Sequence, residues 1–386
     1  MTSRLTGVLI AMAALLATGL STGGQIYYLL FYTLLLLTLL SLISVLWLLF
    51  SARIEMRGVK PRVERGEAMM TIFTVRHTSP LPVAALRLRL NVPSAFSAAQ
   101  EISVSTPAFK TRTFRYMVRC PHRGSYEVGI TRLRARDAFG LFSISRKSGM
   151  KLLRVDVYPK SYDVPFLELK AGDTGPELRS RATEDASSPS DVRKWQEGDV
   201  LKKVHWKLTM RRRELMVRTF EESSRPDTLI VPDLSEIQAL PDQALTIEDC
   251  VCEACLSQAR AQLNEGYPVR MPLLSSRPGE PSGQFPQDVP MFAEALMRAQ
   301  FDSPYPYEQV LVQMLRRTTR TGGCVLVTPR LTTRVADMAL KLSRTGVRVR
   351  LLWVTDSRND QSLEMIERLK MENVEARAVD PWEAAA

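Results

Sequence analysis

The chain has 386 residues, 45% of them hydrophobic and 24% charged, and a formal net charge of +11. That length and apolar content exclude a mainly disordered chain and allow two or three folded units with cores of their own. Five cysteines (Cys120, Cys250, Cys252, Cys255 and Cys324), odd in number and without paired spacing, argue against a secreted disulfide framework, and only His77, His122 and His205 are available as imidazole bases.

The N-terminus is the most apolar part. Leu5 to Leu20 is an uncharged run and Ile26 to Phe50 is a second, separated by Ser21-Thr22-Gly23-Gly24-Gln25. At about 1.5 Å per residue the second run reaches roughly 37 Å and the first about 24 Å, against a hydrocarbon core of about 30 Å. Residues 1–50 therefore read as a transmembrane helical hairpin. A cleavable secretory signal over residues 1–25 is the rival reading, because Arg4 precedes an Ala-rich stretch. Arg4 lies before the pair, and Arg53, Arg57, Lys60, Arg62 and Arg65 follow it, with no charge in the loop between. The positive-inside rule then predicts a two-pass plasma (inner) membrane protein with both termini and the soluble domains cytoplasmic.

Residues 51–159 read as an antiparallel β-sandwich, immunoglobulin-like in outline. Arg87-Leu88-Arg89-Leu90, Phe114 to Arg119 and Ile130 to Arg136 alternate apolar with polar or charged residues at the period of half-buried strands, and turn formers such as Pro121-His122-Arg123-Gly124 separate them. This stretch holds twenty basic and seven acidic side chains, so the basicity of the chain is local. Arg132, Arg134 and Arg136 fall on one strand face. Such a ridge is either a solvated sheet face or a contact for anionic lipid headgroups. Nucleic acid is the less favoured partner, since no stacking aromatics are interleaved with these arginines.

Residues 160–190, with Gly172-Asp173-Thr174-Gly175-Pro176 and Ala186-Ser187-Ser188-Pro189-Ser190, read as an exposed linker. Residues 191–226 carry the densest motif: Arg193-Lys194-Trp195-Gln196-Glu197-Gly198-Asp199, then Val204-His205-Trp206-Lys207 and Glu214-Leu215-Met216-Val217-Arg218. Arg193 to Arg218 contains nine basic and three acidic residues. Asp199 at a Gly-Asp turn can cap the segment that follows or pair with Arg193 or Lys203, and His205 titrates near neutrality. Three readings stay open: a structural ion-pair network anchored by Val204 and Trp206, a partner or peptide contact, and catalysis by Asp199 and His205.

These residues resemble the bacterial membrane proteins grouped as the domain-of-unknown-function 58 family, whose hallmark runs Arg-x-Tyr-x-x-Gly-Asp, Ile-His-Trp-Lys and Glu-Leu-x-Val-Arg. Trp195 stands in place of the usual tyrosine. Arg123-Gly124-Ser125-Tyr126 with Val128-Gly129, Asp137-Ala138-Phe139-Gly140-Leu141-Phe142 and Val157-Tyr158-Pro159 are similar to further family elements, with Ala138 in place of a proline.

Residues 227–386 alternate short apolar strands (228–231, 268–274, 324–328, 347–354, 374–379) with helical periods (245–264, 291–298, 307–317, 333–343, 361–371). That order predicts a parallel sheet covered on both faces, a Rossmann-like α/β domain, with residues 275–290 as a proline-rich surface loop. The resemblance implies a von Willebrand factor A-like fold here. Metal-binding members of that fold end their first strand in Asp-x-Ser-x-Ser. This chain has Asp233-Leu234-Ser235-Glu236-Ile237, so Asp233 and Ser235 mark a degenerate metal-site rim, and no resident metal is expected. Cys250, Cys252 and Cys255 lack a fourth zinc ligand and read as helix packing.

No phosphate loop, Gly-x-Ser-x-Gly elbow or His-Glu-x-x-His occurs. The expected function is a membrane-anchored, non-enzymatic scaffold or adaptor without a cofactor. The resemblance implies partners: a MoxR-type AAA ATPase and neighbouring membrane proteins, in complex maturation or envelope maintenance. The alternative is a ligand- or metal-binding receptor that uses the Asp233 and Ser235 rim.

Overall fold

The computed structural model describes residues 3–58, 60–78, 83–91, 101–106, 109–137, 139–169, 191–195, 206–219, 226–316, 321–356 and 360–381. The chain divides into two compact units, Met1–Tyr158 and Pro159–Ala386.

The first unit opens with α1 (Ser3–Thr22) and α2 (Gln25–Ser51), joined by a turn in which Gly23 has φ 66°. Both helices are long and apolar enough to cross a membrane, and most of their surface is not covered by protein. Within α2 the pattern changes along its length. None of residues 25–40 is buried, whereas Ser41, Val45, Leu48 and Leu49 are. One face of the last part of the apolar run therefore packs into the core of the β region, a contact that uniform hydropathy conceals.

Nine strands follow among the described residues of the same unit: β1 (Arg53–Arg57), β2 (Arg62–Glu64), β3 (Ala68–Arg76), β4 (Val83–Asn91), β5 (Glu101–Thr106), β6 (Thr111–Arg119), β7 (Gly124–Arg136), β8 (Ser143–Lys147) and β9 (Leu153–Tyr158). They form a three-stranded sheet, β1-β3-β6, and a six-stranded one, β2-β9-β7-β4-β5 with β8 on β7. The expectation of a purely antiparallel arrangement needs correction. β2 runs parallel to β9, and the Asp156 N–H donating to Pro61 O (2.9 Å) extends that pairing. Parallel neighbours cannot be joined by a hairpin, which fits the distance in sequence between these two strands. Inward residues of both sheets, among them Phe73, Val118, Leu88, Leu133 and Val155, share one buried cluster with Val45, Leu48 and Leu49 of α2. At the Arg123-Gly124-Ser125-Tyr126 turn, Gly124 has φ 140°, and a Cβ there would lie 3.2 Å from the Tyr126 ring, whose hydroxyl donates to Arg123 O at 2.9 Å. Glycine is required there by both backbone and space.

In the second unit, β10 (Asp191–Lys194), α3 (Trp206–Arg212) and β11 (Met216–Thr219) precede a sheet of β12 (Asp227–Pro232), β13 (Val269–Arg270), β14 (Ser282–Gly283), β15 (Thr321–Thr328), β16 (Arg348–Val354) and β17 (Glu375–Val379). The sheet order is β14-β13-β12-β15-β16-β17, parallel throughout except for the β13–β14 pair. The helices are α4 (Pro241–Asn264), α5 (Val289–Arg298), α6 (Tyr307–Leu315), α7 (Thr333–Arg344) and α8 (Asp360–Met371). One apolar cluster joins α6, α7 and α8 to the sheet and a second joins α4 and α5. Layers on both faces explain why β15 is buried along its whole length. The strand expected over residues 268–274 is only two residues long, and the loop expected over 275–290 contributes β14 and a short 3-10 turn, Pro286–Asp288.

The expected linker also needs correction at its start. Residues 160–169 pack on the α/β unit: Leu167 is fully buried, and Arg350 donates to the carbonyls of Pro165 (2.6 Å) and Phe166 (3.1 Å), to Gln258 (2.9 Å) and to Glu375 (2.7 Å). A guanidinium can satisfy four acceptors at once and so fixes a segment with no secondary structure of its own. Residues 170–190 lie outside the described residues.

Candidate functional site

Two places in the second unit hold the residues that the sequence singles out. The first is the hallmark. β10 and β11 pair antiparallel, placing Arg193 opposite Val217 and Val192 opposite Arg218, and the Trp195 N–H extends the ladder to Leu215 O at 2.8 Å. The two ends of the motif, far apart in sequence, thus become adjacent rungs. Between them α3 is followed by Arg213, a non-glycine residue with φ 57° whose N–H donates to Thr209 O at 2.8 Å. The Thr209 hydroxyl accepts the Met216 N–H at 3.1 Å, which ties helix to strand.

Trp206 is 60% exposed and Met210, one helical turn on, is 80% exposed. Lys207, Arg211 and Arg213 are exposed around them, with Lys194 paired to Glu214 at 2.8 Å. Trp206 is therefore not an anchor into a core, and the reading that gave it that role is corrected. Met216, which the sequence gave no special weight, is buried. Gly198, Asp199 and His205 lie outside the described residues, as do the side chains of Arg193 and Arg218.

The second place is the carboxyl edge of the sheet between β12 and β15. The chain leaves β12 toward β13 on one side and reaches β15 on the other, so this crevice is where strand order reverses, the usual binding position in open α/β sheets. Asp233 stands there, 1% exposed. Its Oδ1 accepts from the Ser235 N–H (3.1 Å) and hydroxyl (2.5 Å), and its Oδ2 accepts from the Thr328 hydroxyl at 2.7 Å. The Asp233 N–H donates to Val327 O at 2.8 Å, and Thr328 Oγ1 also accepts the Arg330 N–H at 3.0 Å. Asp233 and Ser235 do come together, and Thr328 at the end of β15 is the third member. Tyr307 closes the crevice from α6 by donating to Val231 O at 2.8 Å. Burial pushes its phenol well above the ordinary value, and the Asp233 carboxylate adds to that shift.

The fit of a divalent cation can be tested on this donor set. It offers one carboxylate and two hydroxyls, both carboxylate oxygens already accept hydrogen bonds, and Ile237 occupies the third motif position. A hard cation takes about six oxygen ligands. Among the described residues no group of three or more His, Cys, Asp or Glu side chains could hold a metal. The residues do not fit such an ion; the hydrogen bonds do the joining that a cation would do. Cys250, Cys252 and Cys255 are all buried in α4. Burial raises the Cys255 thiol well above its ordinary value, and the neighbouring Cys252 and Cys250 add to this.

A cavity of about 690 Å³ lies elsewhere, between residues 162–165, α4 and the β16–β17 edge, with Tyr162, Gln258, Arg350 and Arg377 among its walls. Its polar groups are largely engaged: the Tyr162 hydroxyl bonds Glu253, and Arg350 is saturated as described.

Residues 191–379 match the family model described as "Protein of unknown function DUF58". The chain is similar to the uncharacterized protein YeaD of Bacillus subtilis (strain 168), at 25% identity over 232 residues, covering 57% of this chain and 57% of that protein. The chain thus matches little more than half the length of that curated relative. Among solved structures it is similar to a CARDB domain from Pyrococcus furiosus (TM-score 0.20, 13% identity, 28% of this chain and 91% of that chain). It is also similar to a cohesin module from a Clostridium perfringens family 33 glycoside hydrolase (TM-score 0.19, 10% identity, 28% of this chain and 96% of that chain). Likeness at that level assigns no fold. Through residues 191–379, the chain belongs to the DUF58 family.

Proposed function

We propose that this chain is a membrane-anchored, non-enzymatic scaffold whose hallmark segment docks a protein partner. The observation that carries the reading is the exposed Trp206–Met210 pair on α3, set among Lys207, Arg211 and Arg213. A large aromatic and a flexible thioether on one helix face, left in water and rimmed by cations, has the composition of an interface hot spot for a partner with an apolar groove and an acidic rim. Family resemblance names a MoxR-type AAA ATPase as that partner, with neighbouring membrane proteins, in complex maturation or envelope maintenance.

The domain reading behind the proposal is a two-helix anchor, a β-sandwich and a von Willebrand factor A-like domain. The two sheets that share one buried cluster support the sandwich. The order β14-β13-β12-β15-β16-β17, with the third strand in chain order antiparallel at the edge, supports the von Willebrand factor A-like assignment. Arg4 before the hairpin and the basic residues after it support cytoplasmic placement of both termini at the plasma membrane.

The test uses the full chain in detergent and a purified MoxR-type ATPase from the same organism, with and without ATP. Co-purification is expected for the wild type. Trp206→Ala and Met210→Ala together should reduce recovery at least tenfold, as loss of a hot spot does. No complex with the wild type, or equal recovery with the double variant, overturns the assignment.

A further inference from the structure

Where the hairpin leaves the membrane, the turn after β7 meets it. The Asp137 carboxylate, 7% exposed at residue level, accepts the Ser41 hydroxyl of α2 at 2.6 Å and the Phe142 N–H at 2.8 Å, and Arg4 of α1 donates to Phe139 O at 3.3 Å. Ser41 is also where α2 first becomes buried. Residues 25–40 span roughly 24 Å as a helix, several Å less than a typical hydrocarbon core of about 30 Å. A short span draws its flanking groups into the headgroup layer. Those groups are Arg4, Arg136 and Phe139, and Phe139 is 55% exposed. Trp47 and Phe50 also stay exposed on α2 past Ser41, as interfacial aromatics do.

Gly140, φ 72°, sits under two guanidinium groups. A Cβ there would lie 2.9 Å from Arg136 Nη2 and 3.0 Å from Arg4 Nη1, so the two cations stand side by side. Among the described residues neither has an ion-pair partner. The acid next in sequence, Asp137, has its oxygens engaged with Ser41 and the turn. The repulsion continues up the sheet. Register places Arg134 opposite Arg87, and Arg132 opposite both Arg89 and Lys147. Directly opposed like charges destabilise a sheet. Glu101 stands opposite Arg89 at the next rung.

We infer that Arg4 and Arg136 form a clamp for the phosphate of an anionic phospholipid headgroup, with Phe139 inserted beside it and the Arg132–Arg134 ridge extending the attraction. A phosphodiester between two guanidinium groups accepts bidentate hydrogen bonds and removes the repulsion between them. The inference rests on the membrane-anchored reading.

The test is native mass spectrometry of the full chain from micelles supplemented with phosphatidylglycerol or phosphatidylcholine. Phosphatidylglycerol should be retained in preference. Arg4→Gln and Arg136→Gln should each reduce that preference about fivefold, while Arg53→Gln on the other sheet leaves it unchanged. Arg136→Lys, which keeps the charge, guards against misfolding and should restore part of the preference. Equal retention of both lipids, indifference to both glutamine variants, or displacement of lipid by inorganic phosphate or a short oligonucleotide overturns the clamp. Alkaline carbonate extraction of membranes separates the two failures: release into the soluble fraction refutes the anchor, whereas an embedded chain without lipid preference refutes the clamp alone.

Discussion

Thr328 shows how one hydroxyl changes the meaning of a motif. Beside Asp-x-Ser-x-Ile, its proton completes the satisfaction of a buried carboxylate, so Asp233 joins two strand ends instead of presenting charge to a ligand. Thr328→Val keeps the shape and removes the donor, leaving a buried oxygen short of a partner. Chemical denaturation of the full chain should show a loss of about 1–3 kcal/mol for the α/β transition. Magnesium or manganese should produce no binding heat in either form, and a metal-dependent rise in wild-type stability would restore the receptor reading. Asp233 and Ser235 were legible in the sequence because their spacing is local. Thr328 was not, because 95 residues separate it from Asp233.

At the scale of elements, the contact between α2 and the turn after β7 joins the apolar hairpin to the β region. Burial opposes ionisation of Asp137, but the hydrogen bond from Ser41, with those from the Phe142 and Leu141 N–H groups, outweighs it and holds the carboxyl below its ordinary value. A depressed folded pKa contributes stability above the unfolded value, near 3.9, and that contribution is lost as pH falls through the folded value. Thermal unfolding in detergent should therefore show a midpoint for the β region that drops below about pH 4. Asp137→Asn should flatten that drop and lower the midpoint at neutral pH by the equivalent of about 1–3 kcal/mol. An unchanged pH profile in the variant would mean that Asp137 does not couple the elements. Apolar length announced both helices of the hairpin. It gave no boundary at Ser41, because Val45, Leu48 and Leu49 have the same hydropathic character whether lipid or a β-sheet core surrounds them.

Across the whole molecule, all five cysteines are buried, Cys120 in the first unit and the other four in the second. Burial pushes Cys120 up to about 11 and Cys324 up to about 12. A thiol reagent at pH 8 should modify none in the native chain and all five after denaturation; fast native labelling would place a thiol in the open. Because these folded values are raised, their stabilising contribution is complete below the unfolded thiol value, near 8.5, and is lost as pH climbs toward the folded values. Stability should thus decline on the alkaline side of that value, read by denaturant titration at several pH settings.

Periodicity alone determined the apolar hairpin, the alternating strands of the basic region and the strand–helix order of the C-terminal half, since each is a repeat of hydrophobic character within a few turns or rungs of chain. The hallmark was visible as a dense basic motif, but its exposed face was not. Whether Trp206 meets a core or water depends on what the rest of the chain leaves uncovered. The tertiary structure alone decided the pairing of Arg193 and Arg218 strands, the proton from Thr328 to Asp233, the anchoring of residues 160–169 by Arg350 and the meeting of Arg4 with Arg136 over Gly140. Each joins groups distant in sequence, and no local repeat carries the information for such a contact.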